Sequence, residues 1–199
     1  MIPMSRLIAI AGGIGSGKSV VSRILRAMSY NVYDCDAEAR RLMDCDETIK
    51  RGIEETIAAD VILSDRTIDR RRLAEIVFAD EVMLARLNGI VHTSVREDIM
   101  RWKSLHACDR LLWVESAIIY ESGIDRMVDE VWEVTAPVEL RVERVMKRNS
   151  MSRAQVLDRI NAQSRVVYEP HPVVKIIVND GVIPLLPQIN RLLAEAAAK

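Results

Sequence analysis

The stretch Leu7-Ile8-Ala9-Ile10-Ala11-Gly12-Gly13-Ile14-Gly15-Ser16-Gly17-Lys18-Ser19-Val20 decides the fold. Its first five residues form an apolar run stopped by glycine, the pattern of a strand buried on both faces of a parallel sheet. After Lys18 the spacing becomes helical, with Val21, Ile24, Leu25 and Met28 on one face. Between strand and helix, Gly12-x-x-x-x-Gly17-Lys18-Ser19 satisfies the phosphate-loop pattern in full. Gly13, Gly15 and Gly17 are read as positions whose backbone angles a side chain would forbid. Successive amide N–H groups can then line one concavity and hold phosphate oxygens, aided by the positive end of the following helix. The residues expected to meet a nucleoside triphosphate are Gly13, Gly15, Ser16, Gly17, Lys18, Ser19 and Val20. Lys18 is expected at the β and γ phosphates, and the Ser19 hydroxyl as a ligand to Mg²⁺. The competing reading is a glycine-rich strand-to-helix turn that binds nothing.

Working outward, Ser29-Tyr30-Asn31 is a turn and Val32-Tyr33 a second short strand, ending at Asp34-Cys35-Asp36. Strand, loop, helix, strand begins a parallel sheet with right-handed crossovers. From about 37 to 104 the chain reads as mostly helical. Met83, Leu84, Leu87, Ile90, Val91, Val95, Ile99 and Trp102 recur three or four apart, as on a long amphipathic helix with Gly89 inside it. Residues 111–114 and 131–134 suit two further strands. Pro137 opens a helix through Arg148. Ser152-Arg153-Ala154-Gln155 reads as a capping box for the next helix, to about Gln163. Residues 175–178 form a final strand, a last helix begins near Pro184, and the alanine-rich tail from Ala194 is expected to fray.

Lys and Arg total 28 against 29 Asp and Glu, a net charge of −1. Neither nucleic acid nor an anionic membrane is indicated as a partner. Three cysteines, Cys35, Cys45 and Cys108, form no Cys-x-x-Cys pair, so a reducing, cytoplasmic setting is expected rather than a disulfide framework or a zinc site. No segment approaches the roughly 20 apolar residues that span a bilayer, and the pattern leaves oligomeric state open. A guanine-reading Asn-Lys-x-Asp motif is missing, which argues against a GTPase switch.

Ligands of open parallel sheets collect at the carboxyl ends of strands. Asp34 and Asp36 lie at such an end, two residues apart and so on one face if the chain is still extended there. One of them could act as a general base toward an attacking hydroxyl, or either could simply cap the helix that follows. Glu115, after the 111–114 strand, is a candidate to orient Mg²⁺ through water, or a plain strand-end carboxylate. His92 is either a structural polar group or a substrate contact. Arg66, Arg70, Arg71 and Arg72 read as the solvated face of a short helix, with Arg70 the candidate to reach substrate phosphates.

In order through nearly the whole chain, these elements resemble the dephospho-CoA kinase family. After the phosphate loop come Asp34-Cys35-Asp36-Ala37-Glu38-Ala39-Arg40, like that family's Asp-x-Asp-x-x-x-Arg, then Ile68-Asp69-Arg70-x-x-Leu73 and Leu87-Asn88-x-Ile90-Val91-His92. Ile118-Ile119-Tyr120-Glu121-Ser122-Gly123, Arg144-x-x-x-Arg148, Gln163 and Asn179-Asp180-Gly181 complete the set. The resemblance implies an α/β P-loop kinase fold in three layers, a parallel sheet flanked by helices, with a helical acceptor-binding insertion and a small helical lid. The core would be about 1–36, 105–136 and 171–199, the acceptor-binding part 37–104 and the lid 137–170. It implies ATP and Mg²⁺ as cofactors and phosphorylation of the ribose 3′-hydroxyl of dephospho-CoA. Lys18, Asp36 and Arg144 would be catalytic, with Asp36 the base. Asp36, Arg40, Arg70 and His92 would bind the acceptor, and Arg148, Asn179 and Gly181 would join the nucleotide site. The family usually has His-Pro where this chain has His92-Thr93, proline in place of Ala117, and glutamine in place of Arg141. Rival readings are another P-loop small-molecule or nucleoside monophosphate kinase, and a nucleotide-binding regulatory protein without transfer chemistry.

Overall fold

A computed structural model describes residues 5–165 and 168–198. The chain divides into two compact units, one formed by 1–33 with 106–199 and the other by 34–105.

The strands, which but for Asp34 belong to the first unit, are β1 (Arg6–Ala11), β2 (Val32–Asp34), β3 (Leu111–Glu115), β4 (Glu130–Thr135) and β5 (Val174–Val178), in the order β2-β3-β1-β4-β5. β1 runs parallel to β3 and β4, and β4 parallel to β5. The apolar run of β1 is fully buried from Leu7 to Ile10, as expected for a central strand with both faces covered. Trp113 and Trp132 fill the core beside it, edge to face with ring centroids 5.8 Å apart. Each fully buried side chain of this size contributes roughly 1.5–3 kcal/mol or more through removal from water. Glu130 is buried yet satisfied, by Arg6 Nη2 at 3.2 Å and by the Trp132 indole N–H at 2.8 Å.

α1 (Lys18–Ala27) presents Val21 and Leu25 to this core, and α8 (Leu185–Ala197) presents Ile189, Leu192, Leu193 and Ala196. The tail therefore does not fray where expected. Ala196 is buried, its carbonyl accepts from Arg6 Nη1 at 2.7 Å, and helix continues to Ala197. Between β4 and β5 the chain makes a helical hairpin of α6 (Val138–Asn149) and α7 (Arg153–Arg165). Ser150 adopts a left-handed conformation at the end of α6. The capping box opens α7 reciprocally: Gln155 N–H donates to Ser152 Oγ at 3.3 Å, and Ser152 N–H to Gln155 Oε1 at 2.9 Å. Val142, Val145, Val156 and Ile160 give the hairpin its own apolar core, and Ile14 of the phosphate loop packs against it.

The second unit holds α2 (Cys35–Cys45), α3 (Glu47–Thr56), α4 (Arg70–Ala79) and the 25-residue α5 (Glu81–Leu105). α5 is continuous through Gly89, where an added Cβ would meet nothing within 4 Å. Leu42, Ile49, Ile53, Val61, Leu73, Val77, Val95 and Ile99 are buried here with Cys35, and an Arg41–Asp98 ion pair at 2.9 Å ties α2 to α5. Arg66 is not on a helix. It sits in a turn with φ +65° and bridges Glu47 and Glu54.

Candidate active site

The phosphate loop runs from the end of β1 into α1. Backbone φ is positive at Gly12 (136°), Gly15 (77°) and Gly17 (101°), but not at Gly13. At Gly17 a side chain is excluded twice, by conformation and by the Asn179 amide nitrogen, which occupies the space a Cβ would take. Gly13 corrects the conformational expectation: what it supplies is room. A Cβ there would collide with Arg141 Nη2 and lie 3.0 Å from its Cζ.

Lys18 is half-buried and its ammonium donates to Gly12 O at 2.7 Å, within the concavity of the loop. Ser16 is buried, its N–H donating to Gly13 O at 3.1 Å, while Ser19 is exposed on the first turn of α1 with Val20 beside it. Arg144 reaches the loop from α6. Its Nη1 lies 3.5 Å from both Gly15 O and Ser16 O, and its Nη2 donates to Asn179 Oδ1 at 3.3 Å. Asn179, just past β5, closes the circuit by donating Nδ2–H to Ser16 O at 2.8 Å. The sequence placed Asn179 among nucleotide contacts; here its side chain braces the loop backbone and Arg144. Gly181, also read as a nucleotide contact, is exposed two residues on, with φ +84°. Arg148 is exposed on the last turn of α6, where its Nε donates to Asn149 Oδ1 at 2.8 Å, so the structure brings Arg144 and not Arg148 onto the loop.

Two side chains that sequence reasoning left without a role grip Ile14. Arg141 Nε donates to Ile14 O at 2.9 Å, and Gln163 Oε1 accepts from Ile14 N–H at 2.9 Å. A cavity of about 310 Å³ adjoins Gly12 and Gly13, lined also by Glu133, Gln163 and the stacked rings of Tyr120 and Tyr168, whose centroids are 5.8 Å apart. Glu133 belongs to β4 and Tyr168 follows α7. Only their position relative to the loop marks them, and no spacing in the sequence encodes that. Glu115, at the end of β3 and paired in register with Ile10, is partly exposed.

In the second unit the two aspartates separate. The chain turns helical at Cys35, so the alternation expected of an extended strand does not hold. Asp34 is the N-cap of α2, accepting from Ala37 N–H at 3.0 Å. Asp36 lies in the first helical turn, exposed, and Arg40 stands four residues on along the same face. Among the described residues neither has an ion-pair partner. Arg70 does: its guanidinium holds Asp44 at 2.6 Å.

His92 is half-buried on α5, and burial, with Arg96 nearby, pushes its imidazole below the usual histidine range. The unfolded chain therefore takes up this proton first. The contribution of neutral His92 to stability is complete above about pH 6.5 and declines as pH falls below it. Titration followed by NMR is expected to give a midpoint below that of a free histidine; one at or above about 6.5 contradicts the assignment.

A dephospho-CoA kinase family model matches residues 6–184. A dephospho-CoA kinase from Bacteroides fragilis is 37% identical over 191 residues, covering 96% of this chain and 93% of that one. One from Bacillus licheniformis is 35% identical over 180 residues, covering 89% and 90%. A Thermus thermophilus protein of known crystal structure is similar with a TM-score of 0.74 and 33% identity, over 98% and 97% of the two chains. Dephospho-CoA kinase from Campylobacter jejuni shares the fold, with a TM-score of 0.67 at 20% identity over 96% and 97%. Among the described residues no helix is long and apolar enough to cross a membrane. With a complete phosphate loop, an arginine brought onto it from α6, and relatives matched along almost its whole length, the chain belongs to the dephospho-CoA kinase family, kinases that phosphorylate dephospho-CoA.

Proposed function

We propose that the chain transfers the γ-phosphoryl group of ATP to the ribose 3′-hydroxyl of dephospho-CoA, releasing ADP and coenzyme A, the last step of coenzyme A biosynthesis. The observation that carries this reading is the family match over residues 6–184 on a chain whose Lys18 and Arg144 converge on one loop backbone. In the reaction the 3′-oxygen attacks the γ-phosphorus, the bond from that phosphorus to the β–γ bridging oxygen breaks, and ADP leaves. Asp36 orients the hydroxyl and accepts its proton as the new O–P bond forms. Lys18 and Arg144 oppose the negative charge on the transferred group and on the departing ADP. Arg40 and, with a change of partner from Asp44, Arg70 hold the acceptor's phosphates, while His92 lines the acceptor unit. The α6–α7 hairpin acts as a lid that keeps water from the γ-phosphate.

Among the described residues no group of three or more His, Cys, Asp or Glu could hold a metal by itself. The donor set still fits Mg²⁺, which keeps several waters and binds through one or two protein oxygens plus substrate phosphates. The exposed Ser19 hydroxyl would be the protein oxygen on the ion, and the partly exposed Glu115 carboxylate would orient it through water. When bound, the ion would offset the negative charge of the phosphates.

Coupled ADP release with dephospho-CoA, nucleoside monophosphates and small sugar acids as acceptors tests the reading. Turnover is expected with dephospho-CoA above the others. ATP binding with no acceptor-dependent ADP release overturns it in favour of a regulatory nucleotide binder.

A further inference from the structure

Arg141 is a cation without a counter-ion at the phosphate loop. It lies one turn before Arg144 on α6, is only partly exposed, and among the described residues has no carboxylate at ion-pair distance. Burial alone shifts its guanidinium, downward, against its strong preference for the charged form. Of its five N–H donors, Nε is committed to Ile14 O at 2.9 Å. That bond fixes the guanidinium plane. Nη2 is then set against Gly13, in space that exists only because Gly13 has no side chain. Withdrawing a charge from water without a partner is costly. A second guanidinium three residues on, Arg144, crowds the same loop and adds like charge. The arrangement makes sense if an anion with several oxygens completes it.

We propose that Arg141 is a phosphate-binding residue of the nucleotide site, donating its Nη hydrogens to oxygens of the nucleoside triphosphate chain while Nε anchors it to Ile14. This rests on the reading of residues 12–19 as a triphosphate site. A glutamine could reproduce the bond to the Ile14 carbonyl but carries no charge. The guanidinium adds planar, two-pronged phosphate recognition.

The test is equilibrium titration of the full chain and Arg141→Gln with ATP, ADP, AMP and adenosine, with a thermal melt of each protein. The expected result is a loss of about tenfold in ATP affinity, on the order of one charge-assisted contact, a smaller loss for AMP and none for adenosine. Arg141→Lys is expected to recover only part of the loss, since a point charge lacks the fork. Gly13→Ala, whose Cβ pushes the guanidinium aside, is expected to weaken ATP in the parent and to add little in the Arg141→Gln background. ATP affinity within twofold of the parent in Arg141→Gln overturns the proposal. So does an equal loss for ATP and adenosine, which indicates a purely structural role. Acceptor turnover by the unmodified chain is measured separately. Failure to phosphorylate dephospho-CoA beside an intact phosphate-dependent loss would overturn the proposed reaction and leave Arg141's role standing.

Discussion

Lys18→Ala is expected to lower phosphoryl transfer to dephospho-CoA by about 10²–10³-fold, the usual effect of deleting one preorganised charge from a transition-state site. The ammonium is half-buried and held inside the loop by Gly12 O at 2.7 Å, so it is positioned before substrate arrives. Preorganisation is what makes the group effective, because it does not have to be reoriented as charge develops. The structural cost of the change is small by comparison. The side-chain bonds to the Gly12 and Gly13 carbonyls, at 2.7 and 3.5 Å, disappear, and the loop keeps its braces from Asn179, Arg141 and Gln163. The thermal midpoint is therefore expected to move by only a few degrees, consistent with the loss of about 1 kcal/mol. Transfer within tenfold of the parent, measured by coupled ADP release, rules out the role given to Lys18.

Asp36→Asn is expected to lower turnover by about 10²–10⁴-fold with little change in stability. Two carboxylates two residues apart invite confusion between chemistry and capping, and the structure gives the capping to Asp34. Asp34 takes the Ala37 N–H and starts α2. Asp36 is exposed and makes no capping bond, so its amide keeps the fold and loses, at most, a fraction of a kcal/mol of interaction with the helix dipole. Asp34→Ala is the control: it removes the cap and costs about 1 kcal/mol of stability. If the two substitutions exchange effects, with Asp34→Ala abolishing turnover in a stable protein and Asp36→Asn only loosening the fold, the assignment of the base is wrong.

The sheet and the phosphate loop were legible because their signals are local. Leu7–Ala11 is an uninterrupted apolar run, and the glycine and lysine spacing of residues 12–19 tolerates few alternatives. The capping box at Ser152 was legible for the same reason, since both partners lie within four residues. What could not be read depends on where distant backbone comes to rest. Arg141 meets the Ile14 carbonyl across 127 residues, and Asn179 meets Ser16 across 163. A backbone carbonyl has no side-chain identity for a motif to record. Arg66 failed differently: its charge suggested a helix face, whereas its left-handed backbone and two glutamates make it a turn clamp. Between Asp34 and Asp36 the ambiguity was one of phase, because the chain leaves the strand one residue before alternation could place them together.

Ile14 has both of its peptide partners on the helical hairpin, its carbonyl on Arg141 of α6 and its N–H on Gln163 of α7. The amide hydrogen at residue 14 is thus shut off from solvent by a side chain and not by the loop itself. Its exchange for deuterium reports the parting of the hairpin from the loop, at a single site and without any ligand. Should a phosphate oxygen compete for that hydrogen, one acceptor replaces another and the number of bonds is unchanged. The peptide at Ile14 is then a toggle between two acceptors, and the rate at which its hydrogen exchanges measures how often the toggle is free.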